Sequence, residues 1–190
     1  MNKAIFLDRD GVINKERDDE IDHIDKISIL PGVEEAIKLF HDVGFLIFIV
    51  TNQPIVARGI ITEKQLEKIH QHLVSLLQKK GGKITKVYFC PHHPKAIVAK
   101  YRKICECRKP SPGMLLQAAK EFSVNLKQSF MIGDMPSDIA LGKNAGCTAF
   151  MITSSHNEKI IETGKPFEIH QPVHRFDTLL EAARFITQHH

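Results

Sequence analysis

The sequence of 190 residues contains no tryptophan, and it lacks both a basic stripe and the kind of aromatic cluster on which nucleic-acid bases stack. Its formal net charge is only +4, from 26 basic and 22 acidic residues, so no polyanionic partner is required. Both features argue against nucleic acid as a partner. They favour a small anionic molecule instead.

Long apolar runs are also missing, and none approaches the roughly 20 residues that a membrane helix needs. The amino terminus enters a strand at once, without the layout of a signal peptide, and the cysteines are spaced as metal ligands rather than for disulfides. We therefore expect a cytoplasmic protein with no membrane contact, acting as a monomer. Because 43% of the residues are hydrophobic, the chain can bury one core, which predicts a single domain over residues 1–190. No segment is long enough for a large cap domain.

Strand-like and helix-like segments alternate along the chain, which predicts an α/β fold with a doubly wound, mostly parallel sheet. The predicted strands lie near residues 3–8, 45–51, 85–90, 129–133 and 147–152. The predicted helices lie near residues 32–43, 62–80, 112–122, 137–145 and 179–186. Thr62 and Gln65 form a capping box at the start of the second of these helices.

Two aspartates, Asp8 and Asp10, directly follow the first apolar strand. In an extended stretch alternate side chains point the same way, so both carboxylates can face one reacting centre. Gly11 then allows the backbone to approach a ligand closely. The alternative interpretation is an Asp-Gly turn that closes a hairpin.

A second apolar strand ends in Asp134, and Asp138 follows within one helical turn. Such an oxygen-only set of ligands suits Mg²⁺, which is commonly completed by a substrate phosphate. Another strand ends in Thr51, followed by two amide side chains, and Lys109 precedes a helical pattern. A hydroxyl, amides and cations would therefore surround the acids.

Four short motifs are present: Asp8-Arg9-Asp10-Gly11, Thr51, Lys109, and Gly133-Asp134 followed by Asp138. In these motifs the sequence resembles the haloacid dehalogenase (HAD) superfamily of phosphotransferases. The resemblance implies a HAD-like Rossmannoid fold and an aspartyl-phosphate mechanism. In that mechanism Asp8 is the nucleophile and Asp10 is the general acid and base.

The same resemblance implies Mg²⁺ held by Asp8, Asp134 and the backbone carbonyl of Asp10. Thr51 and Lys109 would stabilise the charge on the transferred phosphoryl group. Asp138 is expected to orient Lys109 or a metal-bound water.

Cys90 and His92 form one tight cluster, and Cys105 and Cys107 form a second one after a polar loop. Three thiolates and an imidazole close a tetrahedral zinc site without an open position, which predicts a structural Zn²⁺. The alternatives are free thiols, or His93 as the nitrogen ligand in place of His92.

The stretch from Cys90 to Leu116 resembles the D-glycero-D-manno-heptose 1,7-bisphosphate 7-phosphatases, and it is closer to them than to the histidinol-phosphate phosphatases. This resemblance implies a Mg²⁺-dependent enzyme that hydrolyses the 7-phosphate of a sugar bisphosphate, in nucleotide-heptose and lipopolysaccharide precursor synthesis. Arg108 would bind the second phosphate, with Asn52, Gln53 and Arg58 as further substrate-binding residues.

Histidinol-phosphate hydrolysis is the nearest alternative, and a non-catalytic module that binds a phosphorylated ligand is another. Asp10 argues against the second, because a binding module needs no additional carboxylate to move protons. Two loops depart from the family pattern. Residues 15–23 are highly charged and lack a tyrosine, and Pro54-Ile55 replaces a serine-glycine pair. The histidines at positions 70, 72, 156, 170 and 174 lack ligand-spaced companions and are interpreted as surface or core residues.

Overall fold

A parallel β-sheet covered by helices on both faces forms the framework of the protein, which the computed structural model describes for residues 1–153 and 174–189. The strands are β1 (Ala4–Leu7), β2 (Leu46–Asn52), β3 (Lys86–Cys90), β4 (Phe130–Gly133), β5 (Thr148–Ile152) and β6 (Arg175–Phe176). The α-helices are α1 (Val33–Asp42), α2 (Glu63–Leu77), α3 (Gly113–Phe122), α4 (Pro136–Ala145) and α5 (Leu179–His189). All six strands pair in parallel in the order β3-β2-β1-β4-β5-β6.

Side chains of the central strands alternate between two hydrophobic cores, one on each face of the sheet. Ile5 and Leu7 of β1 pack with α1, α2 and α5, whereas Ala4 and Phe6 pack with α3 and α4. These β1 residues are fully buried, as expected for a strand covered on both faces. The doubly wound α/β fold predicted from the sequence is therefore confirmed.

The predicted elements are present, with small differences at their ends. The helix predicted over residues 62–80 ends as an α-helix at Leu77 and continues as a 3₁₀ turn over Gln78–Lys80. The predicted Thr62–Gln65 capping box is formed. Strand β6 was not predicted, because two residues are too few to show a periodic pattern. His156 and His170 lie outside the described residues. Within those residues, no helix combines the length and the apolar character needed to span a membrane.

The strand order changes direction at β1. The chain runs from β1 to β2 and β3 on one side, and from β4 to β5 and β6 on the other. In doubly wound sheets, the crevice beyond the carboxyl ends of the strands at such a switch point is where ligands bind. The residues that follow β1 and β4 therefore lie at the expected position of a functional site.

Candidate active site and metal centres

Three buried carboxylates converge at this switch point. Asp8 follows β1, Asp134 follows β4, and Asp138 lies in the first turn of α4. One oxygen of each lies within 4.8 Å of the others, and all three residues are buried. Asp8 is the most accessible, because its side chain is 10% exposed while that of Asp138 is fully covered.

Two glycines allow the acids to approach so closely. Gly11 has a φ of +78°, and a Cβ there would lie 2.1 Å from Oδ2 of Asp134. A Cβ on Gly133 would lie 2.2 Å from the Cβ of Asp138. Real Cβ atoms do not make contacts this short, so larger residues at these positions would push the carboxylates apart.

The ammonium group of Lys109 bridges two of the acids. Its Nζ lies 2.7 Å from Asp8 Oδ2 and 2.6 Å from Asp138 Oδ1, and it also donates to the carbonyl of Val50 at 3.3 Å. The ammonium group is thus surrounded by two carboxylates and one carbonyl oxygen. Asp138 therefore orients Lys109, and its second oxygen accepts a bond from the backbone N–H of Met135.

The charges in this cluster do not balance. With all groups ionised, three carboxylates and one ammonium would carry a formal net charge of −2 in a buried site. Burial, followed by the charge of Asp138, raises the pKa of Asp8 to about 7. Burial opposes the charge on Lys109, but Asp138 and Asp8 outweigh that effect and raise its pKa. A divalent cation with oxygen ligands fits both the charge and the donor atoms of Asp8 and Asp134, so the site suits Mg²⁺.

The Asp10 carboxylate is held by neighbouring side chains, a feature that the sequence alone did not predict. The chain turns directly after β1, with the N–H groups of Ile13 and Asn14 both donating to the carbonyl of Arg9. The Asp10 carboxylate lies against Arg9 and accepts a bond from Gln53 at 3.1 Å. The negative charge of Asp10 also helps to raise the pKa of Asp8, but by less than burial or the charge of Asp138.

A pocket of about 240 Å³ opens beside Asp10. It brings together Asp10, Asn52, Gln53 and Arg58, which the sequence singled out, with residues 16–21 of the charged loop. Arg9 also lines this pocket, although no role for it was predicted from the sequence. Its position between two aspartates was the only signal that could have drawn attention to it.

The polar residues at the end of β2 hold the site together. Gln53 donates to Thr51 Oγ1 at 2.9 Å as well as to Asp10, and Thr51 is buried. The side-chain amide of Asn52 accepts from the N–H of Lys109 at 3.0 Å and donates to its carbonyl at 3.3 Å. Asn52 therefore fixes the backbone of Lys109.

The two loops that depart from the family pattern pack against each other. Ile21, in the charged loop, and Ile55, after β2, belong to one buried cluster. Lys26 binds Asp19 at 2.8 Å and Asp22 at 2.9 Å. A further ion pair joins Glu20, in the same loop, to Arg58 across the pocket. The loop is thus held by an apolar cluster and several ion pairs.

The sulfur cluster lies at the end of β3 and in the loop that follows. The sulfur of Cys107 lies 3.1 Å from Cys90 Sγ, 3.3 Å from Cys105 Sγ and 3.2 Å from His92 Nδ1. Cys90 lies 3.6 Å from Cys105 and 3.7 Å from His92. The sulfur–sulfur separations of 3.1, 3.3 and 3.6 Å lie somewhat below the roughly 3.8 Å expected between two thiolates around one tetrahedral zinc ion.

The donor set fits a closed structural zinc site, since all four groups point to one centre. The hydrogen bond with Cys90 is the main reason that the pKa of Cys107 falls to about 5, and the same contact raises the pKa of Cys90. Cys107 is thus favoured as a thiolate, the form that binds zinc. His93 is not part of this cluster, because its Nδ1 accepts a bond from the N–H of Lys95.

Cationic side chains gather around His93. Burial lowers the pKa of this imidazole, and the charges of Arg108, Arg58 and Lys95 lower it further. Arg108 also donates from Nη1 to the carbonyl of His92 at 3.0 Å. Residues 91–108, which we call the zinc loop, therefore bring Arg108 to the same region as Arg58, which lines the pocket beside Asp10.

The arrangement of these side chains defines a hydrolase of the HAD class. One aspartate follows each of two neighbouring strands, a third lies on the next helix, and a buried lysine lies between them. Residues 106–182 match the family model described as HAD-hydrolase-like. Individual relatives of known name define a narrower family within this class.

The chain is 42% identical over 147 residues to the D-glycero-beta-D-manno-heptose-1,7-bisphosphate 7-phosphatase of Rhodopseudomonas palustris, covering 77% of this chain and 81% of the relative. It is 41% identical over 158 residues to the corresponding alpha-heptose enzyme of Photorhabdus laumondii, covering 81% and 84%. The crystal structure of the D,D-heptose 1,7-bisphosphate phosphatase of B. bronchiseptica, complexed with magnesium and phosphate, superposes with a TM-score of 0.85 at 29% identity and covers 99% of both chains. The chain therefore belongs to the family of the D-glycero-D-manno-heptose 1,7-bisphosphate 7-phosphatases.

Proposed function

We propose that the protein hydrolyses the 7-phosphate of D-glycero-D-manno-heptose 1,7-bisphosphate, as a step in nucleotide-heptose and lipopolysaccharide precursor synthesis. The observation that carries the proposal is the buried Asp8–Lys109–Asp138 chain beside Asp134 at the switch point of the sheet. Family membership supports the choice of substrate.

Asp8 is the nucleophile in this proposal. It is the most accessible of the three clustered acids, and one of its oxygens is already fixed by the N–H of Arg9 at 2.7 Å. The other oxygen, beside Lys109, attacks phosphorus and forms the aspartyl-phosphate as the sugar alcohol leaves. Bound Mg²⁺, held by Asp8, Asp134 and the carbonyl of Asp10, would reduce the repulsion between the carboxylates and the phosphate.

Lys109 stabilises the phosphoryl group as it is transferred. When Asp8 is consumed as a nucleophile, the ammonium donor that faced it can turn to a phosphoryl oxygen. Asp138 and the two bonds from Asn52 keep Lys109 in place meanwhile. The buried Thr51 hydroxyl, which accepts a bond from Gln53, would supply a further donor to the phosphoryl group.

Asp10 transfers the protons. Its side chain is one-third exposed in the pocket, so it can reach the oxygen of the leaving alcohol, unlike Asp138. In its protonated form Asp10 gives a proton to that oxygen, and the resulting carboxylate then takes one from the water that hydrolyses the aspartyl-phosphate.

Arg58 and Arg108 would receive the phosphate that is not cleaved. Arg58 lines the pocket, and both arginines lie close enough to His93 for their charges to lower its pKa. Arginine can form paired charge-assisted hydrogen bonds with a phosphate, and a substrate with one phosphate would leave these groups unused.

Steady-state kinetics with purified, Mg²⁺-loaded protein test this proposal. We expect the highest kcat/KM on one anomer of heptose 1,7-bisphosphate, with histidinol phosphate and a 3′-phosphorylated oligonucleotide at least about 100-fold poorer. A higher kcat/KM on histidinol phosphate would replace the proposed substrate. The assignments to one domain, to a monomer and to the cytoplasm stay predictions from the sequence.

A further inference from the structure

The guanidinium group of Arg9 is buried between Asp10 and a histidine of helix α2. Its Nε lies 3.0 and 3.1 Å from the two oxygens of Asp10, and its Nη2 lies 2.7 Å from Oδ2. On its other edge, Nη1 lies 3.2 Å from His70 Nε2. Arginine can only donate, so His70 must accept this bond through Nε2 and carry its proton on Nδ1.

His70 is held firmly in this position. It is 4% exposed, and its ring packs against Phe89 of β3 with a centroid separation of 5.5 Å. Burial, followed by the charge of Arg9, lowers its pKa to about 3, which keeps the ring neutral and able to accept. Helix α2 and the edge strand thereby fix the far side of the Arg9 guanidinium.

Arg9 itself cannot serve as an ordinary substrate ligand. Its side chain is only 3% exposed, whereas that of Asp10 is 33% exposed. Gln53 donates to the same Asp10 oxygen as Arg9 Nη2. The accessible carboxylate is therefore held from behind by two buried side chains.

We propose that Arg9 and His70 are positioning residues that aim the Asp10 carboxylate at the leaving-group oxygen. The inference rests on the proposed role of Asp10 as general acid. His70 fixes the plane of the guanidinium, and the fork of Arg9 fixes the plane of the carboxylate. Neither residue contacts the substrate.

The role predicts a dependence on the leaving group. A sugar alcohol is a poor leaving group and needs a proton as the bond to phosphorus breaks, whereas p-nitrophenolate leaves without one. Misaligning Asp10 should slow formation of the aspartyl-phosphate from an alkyl phosphate far more than from p-nitrophenyl phosphate. A purely structural role of His70 would slow both equally.

The test is single-turnover formation of the phosphoenzyme by His70→Phe and His70→Gln, with Mg²⁺ present. His70→Phe keeps a ring beside Phe89 but has no acceptor, and His70→Gln restores an acceptor near Nε2. We expect His70→Phe to lose about tenfold or more with heptose 1,7-bisphosphate and less than about threefold with p-nitrophenyl phosphate, a part of the general-acid effect. His70→Gln should recover most of the loss.

Two controls complete the experiment. His72→Phe, on the same helix, should match the parent protein on both substrates, and Arg9→Lys, which keeps the charge without the fork, should repeat the selective loss. Equal losses on both substrates, or no recovery with His70→Gln, would overturn the inference while leaving the proposed function intact. A parent protein inactive on every phosphate ester tested would instead overturn the proposed function.

Discussion

The two ligand clusters of this protein are built in opposite ways. The carboxylates of Asp8, Asp134 and Asp138 are buried and come from the ends of two strands and the start of a helix. Cys105, Cys107 and His92 are only partly buried, and they lie in the loop after β3. The first cluster is thus fixed by the sheet, whereas the second one fixes its own loop.

This difference separates the expected roles of the two metals. The sheet would hold the acids together with or without a cation, so Mg²⁺ can come and go with substrate phosphate. The zinc loop contains only one short helical turn, Ala99–Tyr101, between its two pairs of ligands. Its order should depend on the metal, since a closed zinc site contributes directly to folding.

Removing the nucleophile should give the largest effect. We expect Asp8→Asn to lower kcat by on the order of 10⁴-fold or more, because no covalent intermediate can form. Its thermal stability without Mg²⁺ should equal or exceed that of the parent protein, since one of the crowded buried charges is gone. Turnover assays and thermal unfolding measure the two quantities. Near-native turnover by sequence-verified protein would disprove the mechanism.

Removing Mg²⁺ should stop turnover reversibly and spare the zinc. Mild chelation leaves the thiolate-bound metal in place, because sulfur ligands hold zinc far more tightly than oxygens hold Mg²⁺. Turnover is followed before chelation, after it and after Mg²⁺ is restored, with elemental analysis at each stage. Activity that persists without Mg²⁺ but disappears with zinc would reverse the division of roles.

Much of this organisation could be predicted from the sequence. The acids follow strongly apolar strands, and the carboxyl ends of parallel strands share one edge, so the grouping of Asp8 with Asp134 needed only the fold. The four zinc ligands were predictable for another reason. Their spacing within two short clusters constrains them locally, before any long-range packing is known.

The orientations of side chains were harder to predict, because they depend on contacts between residues that are distant in the sequence. The alternation rule placed Asp8 and Asp10 on one side of the chain, but it could not show that Arg9 and Gln53 hold the Asp10 carboxylate. His70 was interpreted only as a surface or core residue, because its partner lies 61 positions away along the chain. Asn52 was predicted to bind substrate, and no local pattern signals that it fixes the backbone of Lys109.

Breaking the zinc cluster should have an intermediate effect, mostly on stability. We expect Cys107→Ser to lose its zinc and at least about 2 kcal/mol of unfolding free energy, or roughly 5 °C in Tm. KM should rise more than kcat falls, because the zinc loop carries Arg108 while Asn52 still fixes Lys109. Cys147→Ser is the matched control, since Cys147 is buried in the core between β-sheet and helices and should not affect zinc content. Equal zinc in both variants would contradict the assignment of the cluster.

The smallest effect is expected at Arg108, the one residue between the last zinc ligand and Lys109. Its guanidinium donates to the carbonyl of His92, so it belongs to the zinc loop, yet its charge reaches the cationic region around His93. A charge-assisted hydrogen bond to the distal phosphate is worth roughly 1.5–3 kcal/mol, or about ten- to a hundredfold in kcat/KM. Arg108→Ala should therefore lose that factor on heptose 1,7-bisphosphate and little on p-nitrophenyl phosphate, whereas Lys109→Ala should damage both. Zinc analysis of Arg108→Ala separates a lost phosphate contact from a loosened loop. Equal losses on both substrates, with zinc retained, would place Arg108 at the reacting phosphate and remove the main residue-level reason for expecting a bisphosphate.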